Sequence, residues 1–227
     1  PILTMRVIAE ERKQKTDQLL YSLPIRTSQI VMGKYFALLT VYLVPLCIVA
    51  VYPLIFAQFG EVYLPTSYGS LFAFFMMGAA MIAAGTFISS LTENQGFAAG
   101  IAVPVILLNY YSVTLAEYVS ATASGSAAAL IVTAVLLGFV IRHLTKNRNL
   151  AYGISILIML AVVIIYFADS SRFEGLVPDI MTKLSLFERF YTFVNGVFDL
   201  TAIIYYITVI IFFLFLSVQS LEKRRYN

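Results

Sequence analysis

The sequence predicts an all-α, polytopic bundle of transmembrane helices, with six full spans and the end of a truncated one. Three observations carry that prediction. Six apolar stretches, at 30–59, 68–91, 97–116, 125–144, 150–168 and 203–221, fill most of the 227 residues. Each has about 18 residues or more, enough for a helix rising 1.5 Å per residue to cross the hydrocarbon of a bilayer. None has an Asp, Glu, Lys or Arg near its middle, and the basic residues gather on alternate flanks. Composition agrees, with 60% hydrophobic and 12% charged residues.

The alternation sets the orientation. Twelve basic residues (Arg6, Arg12, Lys13, Lys15, Arg26, Lys34, Arg142, Lys146, Arg148, Lys223, Arg224 and Arg225) fall on one set of flanks, and only Arg172, Lys183 and Arg189 on the other. The positive-inside bias puts the first set in the cytoplasm, the C-terminus included. The turn Thr92-Glu93-Asn94-Gln95 belongs to that side without a basic residue, as a tight helix–helix connection allows. The net charge of +3 sits at membrane edges, where anionic lipid is available, and calls for no nucleic acid. Tyr35, Tyr63, Tyr68, Tyr118 and Tyr152 lie near predicted helix ends, where an amphipathic ring suits the interface.

In order, residues 1–8 are expected to be the end of a truncated transmembrane helix. The run before Arg6 is too short to span, and the charge cluster follows the apolar residues instead of preceding them as in a signal peptide. Residues 9–28 form a cytoplasmic segment. Within it Leu19, Leu20 and Leu23 share a helical face, and Pro24 forces a turn. That pattern fits an amphipathic helix at the membrane surface, and it also describes an inert interfacial helix. Five transmembrane helices occupy 29–168, the first bent by Pro45 and Pro53. Residues 169–200 are read as one or two short amphipathic helices on the outer side, with Ile180, Met181, Leu184, Phe187, Tyr191 and Val194 on the apolar face. Asp199 is placed to cap the last transmembrane helix, 201–221, and 222–227 is a cytoplasmic tail.

Inside the bilayer, Gly78, Ala79, Ala83 and Gly85 form a strip of small residues, and Gly96 and Gly100 make a GxxxG. Both patterns suit close helix packing within the chain or a seam between two copies. Asn109, beside Tyr110, Tyr111 and Ser112, suits an interhelical hydrogen bond better than a translocation path.

Catalytic chemistry finds little support. There is no H-E-x-x-H, no G-x-S-x-G and no paired acids within the helices, so nothing supplies an activated water or nucleophile. His143 has no second His or Cys near it in sequence, and Cys47 is the single cysteine, which excludes an intrachain disulfide. Gly33-Lys34 is not a phosphate loop, because Ser28 stands where the first Gly belongs and Tyr35 follows. No mid-membrane charge and no internal repeat supports a secondary carrier.

The run Glu11-Arg12, Thr16-Asp17-Gln18-Leu19-Leu20, Leu23-Pro24-Ile25, Gln29-Ile30-Val31, Gly33-Lys34 resembles the coupling segment of type-2 ATP-binding-cassette (ABC) exporter permeases. The chain departs from the family at Lys15, where Gly normally precedes the Thr. Ser89–Gln95 and the run 193–200 resemble the branch of gliding-motility-associated permeases, and the helix pair at 125–168 looks like an insertion relative to shorter members. The resemblance implies a non-catalytic permease subunit, with catalytic, cofactor and metal residues all absent. It implies export driven by a separate ABC ATPase subunit that carries the ATP and Mg. It also implies a second permease copy or a homologous permease, contact with membrane lipids, and an extracytoplasmic partner in members that convey mechanical work instead of moving a solute. Glu11, Asp17, Leu19, Leu20, Leu23 and Pro24 are the expected ATPase-coupling residues.

Overall fold

The computed structural model describes residues 1–17, 25–145 and 148–225, and the described residues form helices and turns without a strand. Among the described residues, four helical stretches are long and apolar enough to cross a membrane: Thr27–Phe56, Leu64–Leu91, Gln95–Tyr118 and Leu200–Lys223. The other two predicted spans are present as helices, but their apolar described parts are shorter, Ala123–Leu136 and Tyr152–Ala168.

The chain divides into two units. The first joins Pro1–Tyr110 to Leu186–Asn227. It begins with turns over residues 1–8 and the short α1 (Ala9–Lys13), then α2 (Thr27–Val49) and α3 (Tyr52–Phe56). The stretch 30–59, predicted as one bent helix, is therefore two. Pro45 is accommodated inside α2, whereas Pro53 sits in the first turn of α3, where its missing N–H would have had no helical acceptor. Gln29 Oε1 accepts the Arg26 N–H at 3.1 Å and so caps the start of α2.

Helix α4 (Leu64–Leu91) is the centre of this unit, packing against α1, α2, α9 (Leu186–Val194) and α10 (Leu200–Arg225). One apolar cluster gathers Ile8, Val31, Tyr35, Leu38, Ile82, Ala83, Leu214 and Leu221. A second gathers Ala73, Met77, Ala80, Leu186, Phe193, Ala202 and Tyr206. Tyr35, expected at the interface, belongs to the core instead. It is 3% exposed, and its hydroxyl donates to the Ala79 carbonyl at 3.2 Å, which removes the need for water. Tyr63 and Tyr118 remain exposed.

A three-residue turn joins α4 to α5 (Gln95–Tyr118). Thr92 Oγ1 accepts the Asn94 N–H at 3.1 Å, and Asn94 Oδ1 accepts the Gly96 N–H at 2.9 Å. These side chains cap the new helix and make the tight connection that the sequence required.

The second unit, Tyr111–Ser185, holds the hairpin of α6 (Ala123–Thr145) and α7 (Arg148–Ala168), a 3₁₀ turn at Ser170–Phe173 and α8 (Leu176–Lys183). Phe173 is buried edge-on against Tyr166, with ring centroids 5.8 Å apart. Gly175, at φ +69°, donates its N–H to the Ala121 carbonyl at 2.8 Å, tying the two connections together. The Ser171 hydroxyl and, next, the Arg172 guanidinium hold the exposed Asp169 carboxyl below the usual carboxylate range. Residues 169–200 thus contain two short helices and a 3₁₀ turn.

Candidate functional site

The segment that precedes α2 is fixed at its first half by one serine. Ser89, fully buried on α4, accepts the N–H groups of Ile8 (3.2 Å) and Ala9 (3.1 Å) through Oγ and donates to the Met5 carbonyl at 3.2 Å. The first amides of a helix have no intrahelical acceptor, and here a side chain from another helix supplies one. Lys34, on the first turns of α2, donates to the Val7 carbonyl at 2.7 Å and pairs with Glu11. The pair is partly exposed, with 16% and 37% of the side chains accessible, so its worth is on the order of 1 kcal/mol. Its main effect is positional, because it holds α1 against the start of α2. Arg12, on α1, is itself buried at 4% exposure.

Helix α1 ends in a Schellman motif. The Thr16 N–H reaches the Glu11 carbonyl at 3.0 Å and the Lys15 N–H reaches the Arg12 carbonyl at 3.1 Å, with Lys15 at φ +57°. That is the position where the resembled family carries Gly. The left-handed backbone is retained although an L side chain disfavours it by about 1–2 kcal/mol. The same motif closes α9, where Gly196 at φ +81° occupies the equivalent place and Val197 bonds to Thr192 at 3.0 Å.

Of the residues expected to couple to an ATPase, Glu11 is engaged with Lys34 and Asp17 is half-buried. Leu19, Leu20, Leu23 and Pro24 lie outside the described residues, as does the side chain of His143. Sequence reasoning placed Ser89 at the start of the Ser89–Gln95 turn and passed over both it and Lys34 as ligands of this segment. The available signal was a hydroxyl at the end of a small-residue strip, together with a lysine about two turns into the following helix.

The small-residue positions divide in two. A Cβ at Gly78 would overlap the Tyr42 ring, and one at Gly85 would overlap the Thr4 side chain. Ala79 and Ala83 are buried beside them. This face is therefore filled from within the chain at Gly78 and Gly85, the close helix packing that small residues permit. Gly96 and Gly100 are exposed, and nothing lies within 4 Å of a Cβ built at Gly100.

Asn109 makes the interhelical bond expected of it. Its Oδ1 accepts the Leu186 N–H at 3.0 Å and so caps α9, while the Tyr206 hydroxyl donates to the Leu186 carbonyl at 2.8 Å. At the start of α10, Asp199 Oδ1 accepts the Thr201 N–H at 2.8 Å, the predicted cap.

No curated protein and no solved structure matches the chain. A family model described as "ABC-2 family transporter protein" matches residues 1–172, from the elbow made by α1 and the turns before it through the hairpin of the second unit. The match is at the level of the family and does not extend to the gliding-motility branch. A multi-pass helical membrane protein with a charged elbow mounted on its central helix and three-quarters of its length matched in this way belongs to the ABC-2 transporter family, as a membrane permease subunit of an ABC transporter.

Proposed function

We propose that this chain is the membrane half of an exporter in the cytoplasmic membrane, that its C-terminus is cytoplasmic, and that a separate ATPase drives it by gripping the segment 9–28. Family membership implies an ABC ATPase partner and, usually, a second permease. The observation that carries the reading is the mounting of α1. Three hydrogen bonds to Ser89, the Val7–Lys34 bond and the Glu11–Lys34 pair join the elbow to α4 and α2. A pull on this segment is therefore received by the helix at the centre of the first unit. In this reading Leu19, Leu20 and Leu23 insert into a groove on the ATPase, and Glu11 works from the permease side by keeping α1 in place.

The test is Leu20→Asp. Burying a Leu contributes about 1.5–3 kcal/mol, so a carboxylate there should reduce co-purification of the ATPase by tenfold or more while the permease still folds. Unchanged complex yield and unchanged stimulated hydrolysis would overturn the proposal.

A second reading, transmission of mechanical work to an extracytoplasmic partner, draws on the other end of α4. Ser70 Oγ reaches the Phe193 carbonyl of α9 at 3.2 Å, and Phe74 packs on Phe190 at 5.9 Å. One continuous helix thus connects the elbow to the opposite end of the unit. Solute flux in proteoliposomes separates the two readings.

A further inference from the structure

The α6–α7 hairpin contains a cleft of about 170 Å³ whose walls are Val135, Gly138 and Met159 and whose polar end is Arg142, Tyr152 and Ser155. A volume near 150 Å³ with apolar walls admits hydrocarbon and stays dry otherwise. The guanidinium at its mouth does not swing freely: Arg142 Nη1 donates to the Tyr152 hydroxyl at 3.0 Å, and Cζ stands 5.9 Å from the centre of that ring. One of five N–H donors is used in this bond, and the fork geometry of the rest matches a phosphate.

The charge of the hairpin favours an anion. Between Glu117 and Asp169 the sequence contains Arg142, Lys146 and Arg148 and no Asp or Glu at all. On the walls of the cleft Ile156 and Val135 are 51% and 40% exposed, on apolar helices that the sequence reads as membrane spans. A ligand with an anionic head and a hydrocarbon tail, delivered from the membrane, satisfies both halves of the cleft.

We propose that this cleft binds one anionic phospholipid, its phosphate on Arg142 and part of an acyl chain along Gly138 and Met159. The same hairpin provides its own control. A second cavity of about 320 Å³, lined by Ser124, Ala127, Ile131, Val163 and Tyr166, has no charged group and should take hydrocarbon without regard to the headgroup.

The chain contains no Trp, so one introduced indole reports alone. The experiment places Ile156→Trp in the full-length protein, reconstituted in bilayers of phosphatidylcholine with brominated phosphatidylglycerol or brominated phosphatidylcholine as quencher. Quenching should favour the anionic lipid about fivefold, the effect of one basic residue beside an anionic surface. Adding Arg142→Gln should bring the ratio close to one, and Val163→Trp should show no preference with or without it. Equal quenching by the two lipids at Ile156→Trp, or a preference that survives Arg142→Gln, overturns the proposal. If Ile156→Trp does not fold, Val135→Trp reads the opposite wall of the cleft with the same expected outcomes.

Discussion

Helices α4 and α5 are consecutive, nearly equal in length and both marked by small residues four apart, yet they are used in opposite ways. In its most apolar window α4 has 44% of its residues buried, against 11% for α5. On α4, Gly78 and Gly85 are necessary because Tyr42 and Thr4 occupy the space a side chain would need. On α5, Gly100 of the GxxxG faces open space, and a Cβ at Gly96 would meet only the Asn94 side chain of the preceding turn. A small-xxx-small pattern states only that close approach is permitted. What arrives there is decided by the rest of the chain, and on α4 it is the segment leading to the elbow.

This contrast can be tested from its strongest side to its weakest. Gly85→Leu forces a side chain into Thr4 and should destabilise the protein by about 3 kcal/mol, the upper part of the usual range for overpacking; thermal unfolding in detergent measures it. Ser89→Ala leaves the filled face intact but removes the acceptor of two amides, and a loss of about 2 kcal/mol is expected, with faster hydrogen exchange at Ile8 and Ala9. Lys15→Gly relieves the left-handed residue that ends α1 and should stabilise by about 1 kcal/mol, since Gly196 shows the same motif closing without a side chain. Gly100→Leu should change fold stability by less than about 0.5 kcal/mol. If the open face of α5 seats a second copy, the same substitution lowers the dimer fraction in crosslinking, and a large loss of folded monomer would show that the two faces are alike after all.

Much of the architecture was legible from hydropathy, because a helix that must cross hydrocarbon announces itself by length. Side-chain caps were legible too. Asp199 and the Thr92–Asn94 turn are local chemistry, readable from a few neighbouring residues. The faces of the helices were not. These spans are apolar all round, and lipid is as apolar as a protein core, so hydrophobicity does not say which side of α4 or α5 is buried. Tyr35 illustrates the loss: its position near a helix end suggested the interface, and only the placement of the Ala79 carbonyl shows why it is in the core. The leucines and proline of residues 9–28 suggested a coupling segment, but the attachment of its first part, α1, depends on Ser89, roughly 80 residues away in sequence. Long-range partners of that kind leave no local periodic signature.

The bond between Asn109 and Leu186 closes a gap of 77 residues at a single point. The chain therefore departs from the first unit and comes back to it through neighbouring positions. Between them lies the whole of Tyr111–Ser185. A guest attached in this manner can lengthen, shorten or be exchanged with little entropic consequence for its host, because the ends that must meet are already held together. Variation among relatives is expected to accumulate in that excursion and to spare the doorway at Asn109.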